Sequence, residues 1–155
     1  MVDASLVLDA IVAISIALGA VFAIVELRGM ARDRRTHLVV DVLSHVGTLE
    51  FSNQFAKILN EEFKDAKEAE EKCSFIALSM VARYYEGVGL LIRRGLVDAD
   101  LIFESLPIDI MWNKMKPWCF EKRRLLRRDM YEHFEYAAEK CLAYETQKMR
   151  GRAAA

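Results

Sequence analysis

The chain has 155 residues, of which 54% are hydrophobic and 29% are charged, and its formal net charge is −1. This length accommodates one domain of ordinary size and leaves little room for a second. The near-neutral charge provides no overall field that would favour nucleic acid or an acidic substrate. Cys73, Cys119 and Cys141 form no CxxC pair, which argues against a zinc finger or a secreted disulfide framework. We expect three reduced, buried thiols.

Charge is distributed unevenly along the chain. The first 27 residues contain no Lys or Arg, and all 22 basic residues lie after them. The sequence AIVAISIALGAVFAIV, from Ala10 to Val25, is uncharged. As a helix, Ser5 to Leu27 would extend roughly 34 Å, enough for a hydrocarbon core of about 30 Å. We therefore predict a transmembrane anchor over residues 1–28.

The flanks of this segment predict its orientation. The first nine residues include Asp3 and Asp9 and no basic residue, whereas a cleavable signal peptide begins with basic residues. Several arginines follow the segment, so we expect a single pass through the inner (cytoplasmic) membrane with the N-terminus outside. The arginines expected to contact anionic lipid head groups are Arg28, Arg32, Arg34 and Arg35.

Ser15, Gly19 and Ala23 recur at four-residue steps and therefore share one face of the predicted membrane helix. Small residues on one face allow a second helix to approach closely, so this face is a candidate for self-association. Small residues are also common in membrane helices in general, and that explanation remains open.

Apolar residues recur at helical spacing after residue 30, with no convincing period-2 alternation. We predict an all-α class, with the membrane helix continuing to about Gly47 and a cytoplasmic bundle of about four to five helices over residues 29–150. The tail, residues 151–155, is expected to fray. A second helix is predicted over residues 52–71, and a third is predicted to stop at Gly95.

Local signals also predict the later helices. Asp98 is expected to cap a short helix that ends near Leu106. Pro107 opens the next helix, and Pro117 is predicted to kink or restart it. The last helix is predicted to begin at Met130, because the preceding aspartate and Glu132 have capping-box spacing.

The stretch ARYYEGVGLLIRRGLVDADLIFE is followed by a helix around Trp112, an Arg-rich segment and YEHFEYAAEK. This combination, over residues 75–145, resembles an uncharacterised family of prokaryotic proteins known only as a domain of unknown function. The turn at Gly95 and the FEY sequence at residues 134–136 are its most specific parts. The resemblance implies one membrane helix followed by a helical domain, and it implies no activity.

Arg128, Asp129 and His133 form a pattern of Arg, a polar residue, three further residues and His. The pattern resembles the motif of HEPN ribonucleases, helical bundles in which Arg and His from two protomers cleave RNA without a metal. Histidine can transfer a proton during such cleavage, and arginine stabilises charge on the phosphate. The resemblance implies a catalytic Arg128–His133 pair oriented by Asp129. The alternative is solvated turn residues and an exposed histidine, because so short a pattern arises by chance.

His37, Asp41 and His45 also fall on one side of a helix, but positions eight apart lie roughly 12 Å apart along its axis. The two histidines cannot bind one ion together, so a solvated polar stripe is the preferred interpretation. We predict no metal site and no cofactor. A basic run can contact RNA, anionic lipid or only solvent, and its residues are Lys122, Arg123, Arg124, Arg127 and Arg128.

The sequence contains no P-loop, GxGxxG, GxSxG or HExxH motif. Our leading hypothesis is a non-enzymatic, membrane-anchored helical module that self-associates or serves as an accessory subunit of a membrane complex. One alternative is a membrane-tethered HEPN-like ribonuclease linked to prokaryotic defence, and another is an oligomeric pore. The expected partners are the lipid membrane, further copies of the chain or other membrane subunits, and RNA under the ribonuclease alternative alone.

Overall fold

The computed structural model describes the backbone of residues 4–153 and the side chains of residues 12–30 and 36–152. Within the described backbone, the secondary structure consists of seven α-helices and contains no β-strand. The predicted all-α class is therefore confirmed. The chain divides into two compact units, Met1–His37 and Leu38–Ala155.

The first helix, α1, extends from Ala4 to Val46, in agreement with the predicted end near Gly47. Its segment Val12–Met30 is long and apolar enough to cross a membrane, and the same properties fit an N-terminal signal sequence. The side chains described in this segment are exposed. Phe75–Arg93 also has sufficient length and hydropathy, but eight of its residues are buried among other helices.

The second unit contains the end of α1 and six further helices. These helices are α2 (Leu49–Asn60), α3 (Ala66–Cys73), α4 (Phe75–Arg93), α5 (Ala99–Ser105), α6 (Ile108–Leu125) and α7 (Glu132–Ala153). Their number exceeds the expected four to five because the helix predicted over residues 52–71 is divided between α2 and α3. The last helix continues to Ala153, past the predicted end of the bundle at residue 150.

The division between α2 and α3 results from an N-terminal cap at Asp65, where α3 begins. The Asp65 carboxylate accepts a hydrogen bond from the Glu68 backbone N–H at 2.9 Å. The Glu68 carboxylate in turn accepts one from the Lys64 backbone N–H, also at 2.9 Å. This reciprocal arrangement stabilises a helix start, and it interrupts a polar stretch that also fits a continuous helix.

The predicted stop of α4 at Gly95 and the predicted cap of α5 at Asp98 are both confirmed. Gly95 has a φ of +63°, and the Leu96 N–H donates to the Leu91 carbonyl at 3.0 Å, as in a Schellman turn. Asp98 caps α5, because its carboxylate accepts hydrogen bonds from the Asp100 and Leu101 N–H groups. Sequence signals were sufficient at these positions because they act within five residues.

Of the two outcomes predicted at Pro117, a kink or a restart of the helix, the restart is wrong. Helix α6 includes Pro117 and continues to Leu125. Proline lacks the N–H that would bind the carbonyl four residues earlier, that of Asn113. Both residues are exposed, so water can bind that carbonyl and the helix does not have to end.

The predicted start of the last helix at Met130 is also wrong, since α7 begins at Glu132. Tyr131 has a φ of +61°, which no α-helical residue adopts, and its ring is buried 5.6 Å from that of Trp118. The two carboxylates of the predicted capping box bind arginines instead. Asp129 pairs with Arg127, and Glu132 pairs with Arg93.

Helices α4 and α7 pack closely at Gly89. A Cβ at this position would lie 2.0 Å from the His133 carbonyl oxygen, so the backbone of α7 occupies the space of a side chain. One turn away, the rings of Tyr85 and Phe134 stack with their centroids 4.8 Å apart. This contact forms part of the buried core, which also includes Trp118.

The close approach predicts opposite effects for two alanine substitutions in α4. Gly89→Ala should lower the free energy of unfolding by about 3 kcal/mol, because backbone atoms of α7 must move. Gly87→Ala should raise it by up to about 1 kcal/mol, because a Cβ there meets no atom within 4 Å and alanine favours the helix. Denaturant titration of the full chain in detergent, monitored by tryptophan fluorescence, measures both. Equal effects would contradict the described packing.

Candidate functional site

An apolar groove of about 930 Å³ lies along the exposed side of α4. The α1 residues that line it are Leu38, Asp41, Val42 and His45. The α4 residues that line it are Phe75, Ile76, Ser79, Met80, Arg83, Tyr84, Gly87, Val88, Leu90 and Leu91. Ile76 is 79% exposed and Phe75 is 50% exposed, so the groove presents large apolar side chains to solvent.

The polar side chains of this groove differ in their contacts. The His45 ring stacks on Tyr84 with centroids 5.4 Å apart, and the Tyr84 hydroxyl donates to the Val42 carbonyl at 3.0 Å. Burial raises the pKa of the Tyr84 hydroxyl well above its usual value. Asp41 and Arg83 are exposed, and neither side chain forms an ion pair with any residue of the described chain.

A second cavity, of about 950 Å³, lies between α4 and the turn that precedes α7. Four arginines, three carboxylates and a histidine give it a mixed but mainly basic lining. Its residues are Arg83, Glu86, Arg93, Arg94, Arg127, Asp129, Met130, Tyr131, Glu132 and His133. Arg83 belongs to both cavities.

His133 is held in this basic cavity by Arg93. The Arg93 Nη1 atom donates to the Glu132 carboxylate at 2.6 Å and lies 3.2 Å from His133 Nδ1. A guanidinium has hydrogens to donate and no lone pair to accept, so Nδ1 is the acceptor. In a neutral imidazole the proton then resides on Nε2, which makes that atom a donor.

Glu86 fixes the first turn of α7 from the neighbouring helix. Its carboxylate accepts a hydrogen bond from the Phe134 backbone N–H at 2.8 Å. Burial raises the pKa of the Glu86 carboxyl, while the backbone N–H and the nearby His133 act in the opposite direction. The carboxylate therefore serves as the N-terminal cap that the sequence assigned to Asp129.

The three residues of the predicted catalytic pattern have different surroundings. His133 and Asp129 line the basic cavity, whereas Arg128 is exposed and is not part of its lining. The Asp129 carboxylate binds the Arg127 guanidinium, and this contact lowers the pKa of Asp129. The arginine beside His133 is Arg93, which is 40 residues away in the sequence, so no local spacing could reveal it.

Most of the basic run is engaged in contacts within the bundle. Lys122 pairs with Glu70 at 2.5 Å, and Arg124 pairs with Glu121 at 2.6 Å. Arg123 makes a three-part contact with the turn before α7. It donates to the Met130 carbonyl at 2.6 Å, the Tyr131 carbonyl at 2.9 Å and the Glu135 carboxylate at 2.5 Å. Lys122 and Arg123 are therefore structural, whereas Arg124 and Arg127 form ion pairs at the surface.

The cysteines and the candidate metal ligands form no reactive or metal-binding cluster within the described side chains. Cys73, Cys119 and Cys141 are buried and free, as predicted. Within the described side chains, no three His, Cys, Asp or Glu residues are grouped closely enough to hold a metal ion. The stacking of His45 on Tyr84 places this histidine in an aromatic contact.

The residues predicted to act in the membrane lie in the first unit. Ser15, Gly19 and Ala23 are exposed, and a Cβ built on Gly19 meets no atom within 4 Å. Arg28 is exposed as well. The other three predicted head-group contacts have side chains outside the described set, and they are Arg32, Arg34 and Arg35.

The chain belongs to the family described as a domain of unknown function, DUF4760, whose model matches residues 13–141. The match includes the apolar part of α1, both cavities and most of the bundle. It confirms the predicted resemblance to an uncharacterised family and extends it toward the N-terminus. No curated protein and no solved structure matches the chain.

The contacts of Arg123 predict a large effect from its loss. Arg123→Met should lower the free energy of unfolding by about 2–4 kcal/mol, because two carbonyls and a largely buried carboxylate lose a charged donor. Arg124→Met should cost at most about 1 kcal/mol, because the Arg124–Glu121 pair is solvated. Denaturant titration in detergent compares the two, and similar losses would contradict the structural role of Arg123.

Proposed function

We propose that this chain is a membrane-anchored helical module that associates with a second copy of itself. Val12–Met30 would be a single membrane span, with the N-terminus outside and the bundle at the cytoplasmic face of the inner membrane. The arginines from Arg28 to Arg35 support this orientation, because positive residues are retained on the cytoplasmic side. In this proposal the module acts by assembly and catalyses no reaction.

The apolar groove along α4 is the observation that carries the proposal. Monomeric soluble domains seldom expose contiguous apolar surface of this kind, and such surface rimmed by polar residues is typical of interaction sites. Ile76 is largely exposed and Phe75 is half exposed, so a partner would remove apolar side-chain surface from water. Burial of apolar surface is the main driving force for such association.

The charges of the groove favour a second copy as the partner. In a twofold interface, each surface patch meets the same patch on the other copy. The groove has one carboxylate, Asp41, and one guanidinium, Arg83, and neither forms an ion pair within the described chain. Two copies could therefore form two equivalent Asp41–Arg83 ion pairs at the edges of an apolar contact. A groove of a single sign would repel its copy.

The predicted membrane helix offers a second contact between copies. Ser15, Gly19 and Ala23 share one helix face, and the open space around Gly19 would let another helix approach. Anchoring in one membrane also raises the local concentration of the two grooves. Even a modest affinity of each contact would then give a stable dimer.

Charge exchange in the groove tests this function. Asp41→Arg and Arg83→Asp should each weaken dimerisation at least tenfold, because each change places like charges opposite one another. The double variant should regain an affinity close to that of the wild type, because the pairs form again with reversed polarity. Sedimentation of the full chain in detergent micelles measures the dissociation constant.

The matched controls for this experiment are Glu139→Arg and Arg150→Asp, two exposed positions on α7 outside the groove. They make the same charge changes and should leave the dissociation constant unchanged. If the double variant remains as weak as the single ones, Asp41 and Arg83 do not meet across an interface. A wild type that stays monomeric at every concentration would refute self-association itself.

A bulky residue on the small-residue face tests the contribution of the span. Gly19→Ile should weaken dimerisation in lipid vesicles about tenfold, because it separates the helix backbones. Ala17→Ile is the control, since its side chain lies about 160° around the helix from position 19. Energy transfer between labelled copies of the full chain measures both. If both variants weaken dimerisation equally, the small-residue face has no specific role in it.

A membrane-tethered ribonuclease is the second candidate, and the contact between Arg93 and His133 is the observation in its favour. A histidine next to an arginine within a basic cavity has the types of groups needed for proton transfer and phosphate stabilisation. Because Arg128 is outside the cavity lining, Arg93 would be the arginine closest to the histidine.

A further inference from the structure

In the basic cavity between α4 and the turn before α7, the hydrogen-bond acceptors and donors differ in how far they are paired within the chain. Each of its three carboxylates has a partner within the chain. Glu86 accepts from the Phe134 N–H, Asp129 binds Arg127, and Glu132 binds Arg93. The acceptors of the cavity are therefore largely satisfied by internal contacts.

Its donors are not satisfied to the same extent. Arg94 lines the cavity, and its guanidinium forms no ion pair within the described chain. The hydrogen bonds of Arg93 to other side chains use Nη1, which leaves its Nε and Nη2 atoms available. His133 Nε2 carries the remaining proton of the neutral ring, since Nδ1 accepts from Arg93. The groups available to a ligand are thus mainly donors.

We propose that this cavity binds the phosphate group of a phosphorylated molecule. A phosphate offers several acceptor oxygens, and the planar fork of a guanidinium matches two of them at once. Arg94 would provide such a fork, and Arg93 and His133 would provide further donors. A volume of about 950 Å³ exceeds the needs of a bare phosphate, so the ligand would carry an organic substituent.

This proposal does not rest on the proposed self-association. Arg83 lines both cavities, but the phosphate site depends on Arg93, Arg94 and His133, none of which lines the apolar groove. The phosphate could belong to a lipid head group or to a soluble phosphate ester. Both sources offer the same chemistry to the arginines.

Inorganic phosphate is the probe for the test, with the full chain in a neutral detergent. Thermal unfolding is followed by the fluorescence of the buried Trp112 and Trp118, at an ionic strength kept constant with chloride. For the wild type we expect a saturable rise of Tm with phosphate, as for any ligand that binds the folded state alone. Phosphate also stabilises proteins by exclusion from their surfaces, so the comparison with variants decides.

Arg94→Gln is the principal variant because this side chain is exposed and its loss should not disturb folding. It should raise the apparent dissociation constant for phosphate at least tenfold, while Tm without phosphate stays near that of the wild type. Arg94→Lys should give an intermediate value, because it keeps the charge and loses the fork. Arg150→Gln, an exposed arginine elsewhere on α7, should bind phosphate as the wild type does.

Two results would overturn the proposal. One is an equal rise of Tm in the wild type and Arg94→Gln, which would indicate a non-specific effect of the salt. The other is the absence of any saturable rise in the wild type. The rise of Tm with phosphate can be measured on a monomeric wild type and on Asp41→Arg, since Asp41 does not line the basic cavity. Failure of self-association and failure of the phosphate site can therefore be distinguished.

Lipid nanodiscs then identify the source of the phosphate. The full chain is placed in discs of phosphatidylcholine alone or with added phosphatidic acid, and inorganic phosphate is titrated into each. A weaker apparent affinity with phosphatidic acid indicates that the lipid head group competes for the site. Unchanged affinity in the two discs indicates a soluble phosphate ester as the natural ligand.

Discussion

The contact between α4 and α7 at Gly89 determines the arrangement of the bundle. Only a residue without a Cβ allows the His133 carbonyl to lie where a side chain would begin. This approach brings the Glu86 carboxylate to the first N–H groups of α7 and the Arg93 guanidinium to the His133 ring. The basic cavity is therefore a product of helix packing, and its geometry depends on one glycine in the middle of a core helix.

The sequence predicted the features whose causes are local. The stop at Gly95 and the cap at Asp98 depend on contacts within a few residues, and both are present. The start of α7 was not predictable in this way, because the neighbouring Arg127 and the distant Arg93 engage the carboxylates of the apparent capping box. Arg93, the arginine beside His133, is in another helix, so its role depends on tertiary packing that no spacing rule contains. Pairing across the bundle likewise explains why Lys122 and Arg123 are structural although they belong to a conspicuous basic run.

The residues of helix α4 lie in three different environments. Its buried face packs in the core, one exposed side forms the apolar groove, and its C-terminal part contributes arginines to the basic cavity. Because Arg83 lies in both cavities, occupancy of one could alter the position of a charge in the other. Such a shared side chain is a physical route by which assembly and phosphate binding could influence each other, with a coupling that must act equally in both directions.

The burial of the three cysteines has a practical consequence. Desolvation raises the pKa of the Cys119 thiol to about 12 and that of Cys141 to about 11, and it also raises the pKa of Cys73. The thiolate is the reactive form, so the native residues should react slowly with maleimides at neutral pH while the bundle is folded. A single cysteine introduced on an exposed helix face could be derivatised selectively, without first removing the three residues that fill the core.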